Sequence, residues 1–188
     1  FAECFNNNIF LSNSSVDIIE NGYVLPLKKQ TTDQGVGFFT GGIYDAQGNF
    51  VKSSSYNRET ITGSLVDGYS FDKNLAPTID TEVVFCGMIS KHFGHFLMET
   101  TNRLWYWVEN KKSNLDLVFL KQKKQIILPQ FWDFIDLMGI SRNKVHIIEN
   151  VTCFKKIHIP SVSNNLTNWY NDKFLIPFQY IAKNIEGK

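Results

Sequence analysis

Two rhythms of apolar and polar residues divide the chain near residue 78. Before that point the apolar runs are short and punctuated by turn-forming residues. Residues 16–19 and 23–27 flank Asn21-Gly22, a pair favoured in two-residue hairpin turns, so two antiparallel strands are predicted there. Residues 35–44 and 49–52 flank Asp45-Ala46-Gln47-Gly48, which predicts a second turn between strands. From Thr78 onward, strand-length runs alternate with amphipathic stretches of helical length. The pattern predicts strand 82–86, helix 91–110, strands 115–120 and 125–128, helix 130–138, and strands 144–148 and 155–159. Pro129 suits the start of the helix it precedes, and Gly139 sits where a C-terminal glycine would end it. Residues 169–185 read as a final helix that Pro177 kinks or delays. Strands joined by crossover helices predict a parallel sheet. The fold class expected is therefore α/β: a Rossmann-like, doubly wound lobe over residues 79–188, preceded by a β-rich segment over residues 1–78.

Candidate chemistry concentrates in the stretch 82–108. Ser90 is placed to cap a helix, and apolar residues follow at Phe93, Leu97, Leu104, Trp107 and Val108, with Thr100 among them, the spacing of one buried helical face. At about 100° per residue, His92, His95, Glu99 and Arg103 fall in a stripe roughly 80° wide on another face. Gly94 sits in the first turn, where glycine costs helix stability of roughly 1 kcal/mol against alanine and often marks close approach of a ligand. In a βα unit this corner lies at the carboxyl edge of the sheet, where free amides attract anions and open α/β sheets place their ligands. The candidate catalytic pair is His95, an imidazole base, and Glu99, one turn on, which orients it. Ser90, His92, Gly94 and Arg103 are the candidate substrate-binding residues. The plainer alternative is a capping histidine and a surface Glu99–Arg103 pair worth a few tenths of a kcal/mol.

Other constellations are weaker. His92 and His95 with Glu99 do not make the His-Glu-x-x-His arrangement and lack a fourth zinc ligand, and no Asp-x-Asp occurs to clamp a divalent cation. The glycines of residues 35–42 fit neither the dinucleotide fingerprint nor a phosphate loop, and read as turn glycines. A nicotinamide-dependent oxidoreductase ranks low for the same reason, because the first βα turn, residues 86–94, has no glycine fingerprint. Trp107 reads as packing, whereas Trp105 is open to a role in stacking on a sugar.

Composition excludes some classes. With 16 Phe, 7 Tyr and 4 Trp the chain is too apolar to be disordered, and a net charge of +1 gives no electrostatic case for nucleic acid. Cys4, Cys86 and Cys153 match no zinc spacing, and reduced, buried thiols in a cytoplasmic setting are expected.

Three blocks carry a family resemblance: residues 41–58 (GGIYDAQGNFVKSSSYNR), residues 92–105 (HFGHFLMETTNRLW) and residues 138–161 (MGISRNKVHIIENVTCFKKIHIPS). In this order the chain resembles the amino-terminal half of glycosyltransferase family 61, in its bacterial polysaccharide-biosynthesis branch. The resemblance implies one lobe of a GT-B type enzyme that transfers a sugar from a nucleotide-sugar donor to a glycan or lipid-linked acceptor, with inversion and without a metal cofactor. It further implies a cytoplasmic setting, with peripheral association at the inner face of the membrane as an open alternative, and a second lobe or partner chain, since no counterpart of the family's carboxyl-terminal lobe is found. A non-catalytic domain that positions an acceptor or a partner chain is the alternative. Arg58 falls inside the first block and reads as structural or of unknown role.

Overall fold

A computed structural model of the chain describes residues 14–58, 61–165 and 169–187, and the statements below concern these residues. The elements are β1 (Val16–Thr31), β2 (Gly37–Tyr44), β3 (Leu65–Val66), β4 (Thr78–Met88), α1 (Phe93–His95), a π-helical turn (Phe96–Thr100) and α2 (Leu104–Glu109). They continue with β5 (Asp116–Leu120), α3 (Pro129–Leu137), β6 (Val145–Ile148), β7 (Thr152–Pro160), β8 (Asn164–Asn165), β9 (Trp169–Tyr170) and α4 (Ile176–Glu186). Seven strands form one mixed sheet in the order β3-β2-β1-β7-β4-β5-β6, with β8 and β9 pairing apart from it. Strands β7, β4, β5 and β6 run parallel, while β1 is antiparallel to both β2 and β7. The architecture is mixed α/β with a mostly parallel sheet, compatible with a Rossmann-like fold. The rhythm change at residue 78 separates two kinds of connection within one sheet, because β1 pairs directly with β7.

The two faces of the sheet are closed differently. Val84, Cys86, Leu117 and Phe119 point to a face covered by Leu104 of α2, by Phe131, Phe134 and Ile135 of α3, and by Phe178 and Ile181 of α4. Val83, Phe85, Val118 and Leu120 point the other way, into a cluster built from strand and loop residues, among them Val24, Ile43, Tyr56, Leu65 and Ile157. The sheet is therefore not doubly wound. Right-handed crossovers that step in one direction, from β4 to β5 to β6, place successive helices on the same side. The opposite face is covered by the sheet curling onto itself, with Leu27 of β1 bridging to Gln122 just past β5.

Several local expectations are corrected. No hairpin forms at Asn21-Gly22. Both flanks pair in unbroken register with β7, from Val16 opposite Pro160 to Val24 opposite Thr152, so tertiary pairing overrides the turn signal. Asn21 adopts φ of 51° within the strand. A Cβ on Gly22 would come within 2.8 Å of the Ile157 side chain, so the glycine is there for close approach. Residues 125–128 form no strand; the Gln125 side chain donates to the Ile89 carbonyl and accepts from the Gln122 amide, stitching an irregular loop. The final helix starts late, at Ile176, with Pro177 in its first turn. The Asp45–Gly48 turn is present, closed by the Asp45 carboxylate on the Asn49 amide, though only a single bridge follows it. No helix among the described residues is long and apolar enough to cross a membrane.

Candidate functional site

The segment after β4 is not the continuous helix 91–110. A single helical turn, α1, opens into the π-helical turn, the chain then breaks over Thr101 to Arg103, and helix resumes at Leu104. The wider π turn changes the angular step between residues, so the expected apolar face is displaced. Phe93 is exposed, whereas Phe96, Leu104 and Trp105 are buried. Trp105 Nε1 donates to the Ser161 carbonyl at 3.0 Å, which uses the ring's polar end in packing. Ser90 is not the N-cap; His92 precedes the first helical residue and makes no side-chain cap. The Ser90 amide instead donates to Thr100 Oγ1 at 3.0 Å, which pins the strand end to the π turn.

Glu99 projects from the π turn, is 8% exposed, and is held from both sides. Arg58 forms a two-pronged bond to it, with Nε to Oε1 at 2.8 Å and Nη2 to Oε2 at 2.7 Å. His95 Nδ1 lies 3.0 Å from Oε2. A carboxylate only accepts, so the bond to Glu99 takes its proton from Nδ1 and leaves Nε2 directed away from it, while Arg58 Nη2 lies 3.4 Å from the same Nδ1. Arg58 is in turn fixed by the turn at residues 61–64, where Gly63 has φ of 70° and a Cβ would meet Arg58 Nη1 at 2.6 Å. Arg58 lines the cavity and bonds to Glu99, a position its reading as structural or of unknown role did not give. Its partner lies 41 residues away in the chain, so helical spacing carries no trace of it, and its place in the first family-like block was the one available signal.

Arg103 does not join that group. Its guanidinium is buried and donates to the carbonyls of Ser53 and Ser55, each at 3.0 Å, and to the Pro160 carbonyl. The Phe85 ring centroid lies 5.4 Å from its central carbon. Burial without a carboxylate pulls its pKa down to about 10, so it stays charged at neutral pH. Its visible work is to tie the β-rich segment to the end of β7.

A cavity of about 180 Å³ opens at the carboxyl end of β4. Its polar lining includes Arg58, Ser90, Lys91, His92, Glu99, Asn102 and Arg103, and its apolar wall includes Phe39, Tyr56, Leu65 and Met88. Of the expected site residues, Ser90, His92, Glu99 and Arg103 line it. His95 and Gly94 do not; His95 stands on Glu99 beside the cavity, partly exposed, and Gly94 has open space around it, with nothing within 4 Å of a Cβ. Arrangement of an imidazole on a buried carboxylate beside a cavity at the sheet's carboxyl edge suits proton abstraction from a bound hydroxyl. No group of three or more acidic, histidine or cysteine side chains suited to a metal occurs among the described residues. Cys86 and Cys153 are free thiols, and burial pushes both pKa values up. No protein-family model, curated protein or solved structure matches this chain.

Proposed function

We propose that the chain is the amino-terminal lobe of an inverting glycosyltransferase acting in polysaccharide biosynthesis. The observation that carries this reading is the His95–Glu99–Arg58 group beside the cavity. Glu99 orients the His95 ring through Nδ1, which turns Nε2 outward as the atom to accept a proton, and Arg58 holds Glu99 in place. In this arrangement the sugar of a nucleotide donor occupies the cavity, and the acceptor hydroxyl approaches across His95 from solvent. As the acceptor oxygen bonds to the anomeric carbon, His95 Nε2 takes its proton and the bond to the nucleoside diphosphate breaks, with inversion. The family resemblance carries the metal-independent course and the requirement for a second lobe.

A second reading, a non-catalytic domain that positions an acceptor or partner chain, is favoured by one observation. Arg103, expected to meet a phosphate, is spent on three backbone carbonyls. The test is transfer of labelled sugar from UDP, GDP and CMP donors to glycan acceptors by the protein carrying this lobe together with its second lobe. His95→Ala should lower transfer by about 10²-fold or more. Transfer that survives within tenfold in His95→Ala and Glu99→Gln removes both from the chemistry and leaves the binding domain standing.

A further inference from the structure

The charges that line the cavity do not balance. Arg58, Lys91 and Arg103 stand in its wall against one carboxylate, Glu99. Arg58 holds Glu99 on two prongs, which leaves Lys91 and Arg103 without a counter-charge. Lys91 is exposed and enters no ion pair among the described residues. Arg103 is 2% exposed and has only carbonyls for partners, which accept its protons but carry no net charge.

One donor of Arg103 is still open. Its Nη1 and Nη2 make all three of those bonds, whereas Nε makes none among the described residues and is not one of the polar atoms sealed from solvent. Gly87 lines the cavity beside it with φ of 84°, a conformation that side chains disfavour. A Cβ on Gly87 would meet nothing within 4 Å but Arg103 Nε, at 3.9 Å, so the absent side chain leaves open space over that nitrogen. The rest of the wall includes Tyr56, Leu65 and Met88. In such apolar surroundings a charge is screened little, and an unpaired cation is costly until an anion joins it.

We propose that the cavity selects a sugar that carries a carboxylate, a uronic acid, and holds that carboxylate between Lys91 and Arg103 Nε. The proposal rests on the reading of the cavity as the place of the transferred sugar, and it adds the class of that sugar. A carboxylate suits the groups on offer better than a phosphate does. It brings one negative charge and two oxygens to one N–H and one ammonium, and Glu99 in the same wall opposes a second negative charge. The hydroxymethyl group of a neutral hexose would leave both cations unanswered.

The test is a titration of the protein with methyl glucuronide, methyl glucoside and glucose 6-phosphate, followed by the amide resonances of Gly87, Ser90 and Lys91. Saturable shifts with methyl glucuronide are expected, about tenfold tighter than with methyl glucoside and weakened by added salt. Lys91→Gln, at an exposed position, should weaken the glucuronide about fivefold and leave the glucoside unchanged, and Lys91→Arg should restore most of the loss. The proposal is overturned by a glucuronide that does not saturate, by a glucoside that binds as tightly, by a glucose 6-phosphate that binds more tightly, or by Lys91→Gln binding the glucuronide as the parent does. The reaction is judged separately, in the protein that carries both lobes. Transfer from UDP-glucose with none from UDP-glucuronate overturns the acidic sugar and leaves the transferase standing. Glucuronide binding of the expected kind with no transfer from either donor overturns the transferase and leaves the carboxylate site standing.

Discussion

The helix-covered face of the sheet and the curled face are built on different principles. Under the helices, Phe96, Phe119, Phe131 and Phe134 meet edge to face, with centroids 5.1 to 6.3 Å apart, and the contacts are apolar throughout. On the curled side the five consecutive residues Glu99 to Arg103 are polar and at most 8% exposed. They are tolerated there because carbonyls, a carboxylate and an arginine satisfy most of them. Stability on one side comes from area buried; on the other, a polar group removed leaves its partners stranded. The cavity is on the second side, where positions are fixed by directional bonds.

The largest effect expected is on the apolar side. Phe131→Ala should cost about 4 kcal/mol in denaturant unfolding, through lost burial and a void, without altering the amide environment around Glu99. Arg103→Leu, nearly apolar in effect, should cost about 3 kcal/mol because three carbonyls lose their donor. A cost no greater than that of an exposed arginine would break the contrast between the faces. Glu99→Gln should cost about 2 kcal/mol, since Arg58 then faces a neutral amide, and should release the tautomer of His95, which nitrogen NMR of the ring reads directly.

A smaller effect concerns pH. Tyr44, Tyr69 and Tyr106 are raised above the ordinary value of 10.0, in each case chiefly by burial. The unfolded chain therefore loses these protons first, so their stabilisation is complete below about pH 10 and falls as pH rises through the folded values. Tyrosine absorbance in the native protein should lag that of the denatured protein over this range. The smallest effect is a rate: in a Cys4→Ser background, Cys86 and Cys153 should react with a thiol reagent at pH 8 only as fast as the protein opens.

Much of the α/β half was legible. The strand before the site, the helix at Pro129 and the late start of the last helix follow from apolar period and proline placement, which are local signals. What was not legible depended on distant partners. Asn21-Gly22 has the chemistry of a turn, but a strand more than a hundred residues later holds both flanks straight. Helical arithmetic placed Arg103 with His92, His95 and Glu99, and it failed because a π turn and a break intervene within eleven residues. The His95–Glu99 pair survived because its four-residue step falls where the backbone is still helical. Arg58 was invisible as a partner, since no periodicity links it to Glu99.

The pairing of β1 with β7 also sets an order of events during synthesis. β1 emerges early and finds β2 at once, yet its other edge has no partner until Thr152 to Pro160 have been made. At ordinary elongation rates that wait is on the order of ten seconds. For that time the nascent chain carries an open strand edge at what becomes the middle of the sheet, next to the parallel strands that β7 also joins. The centre of this sheet is the last part of it to close.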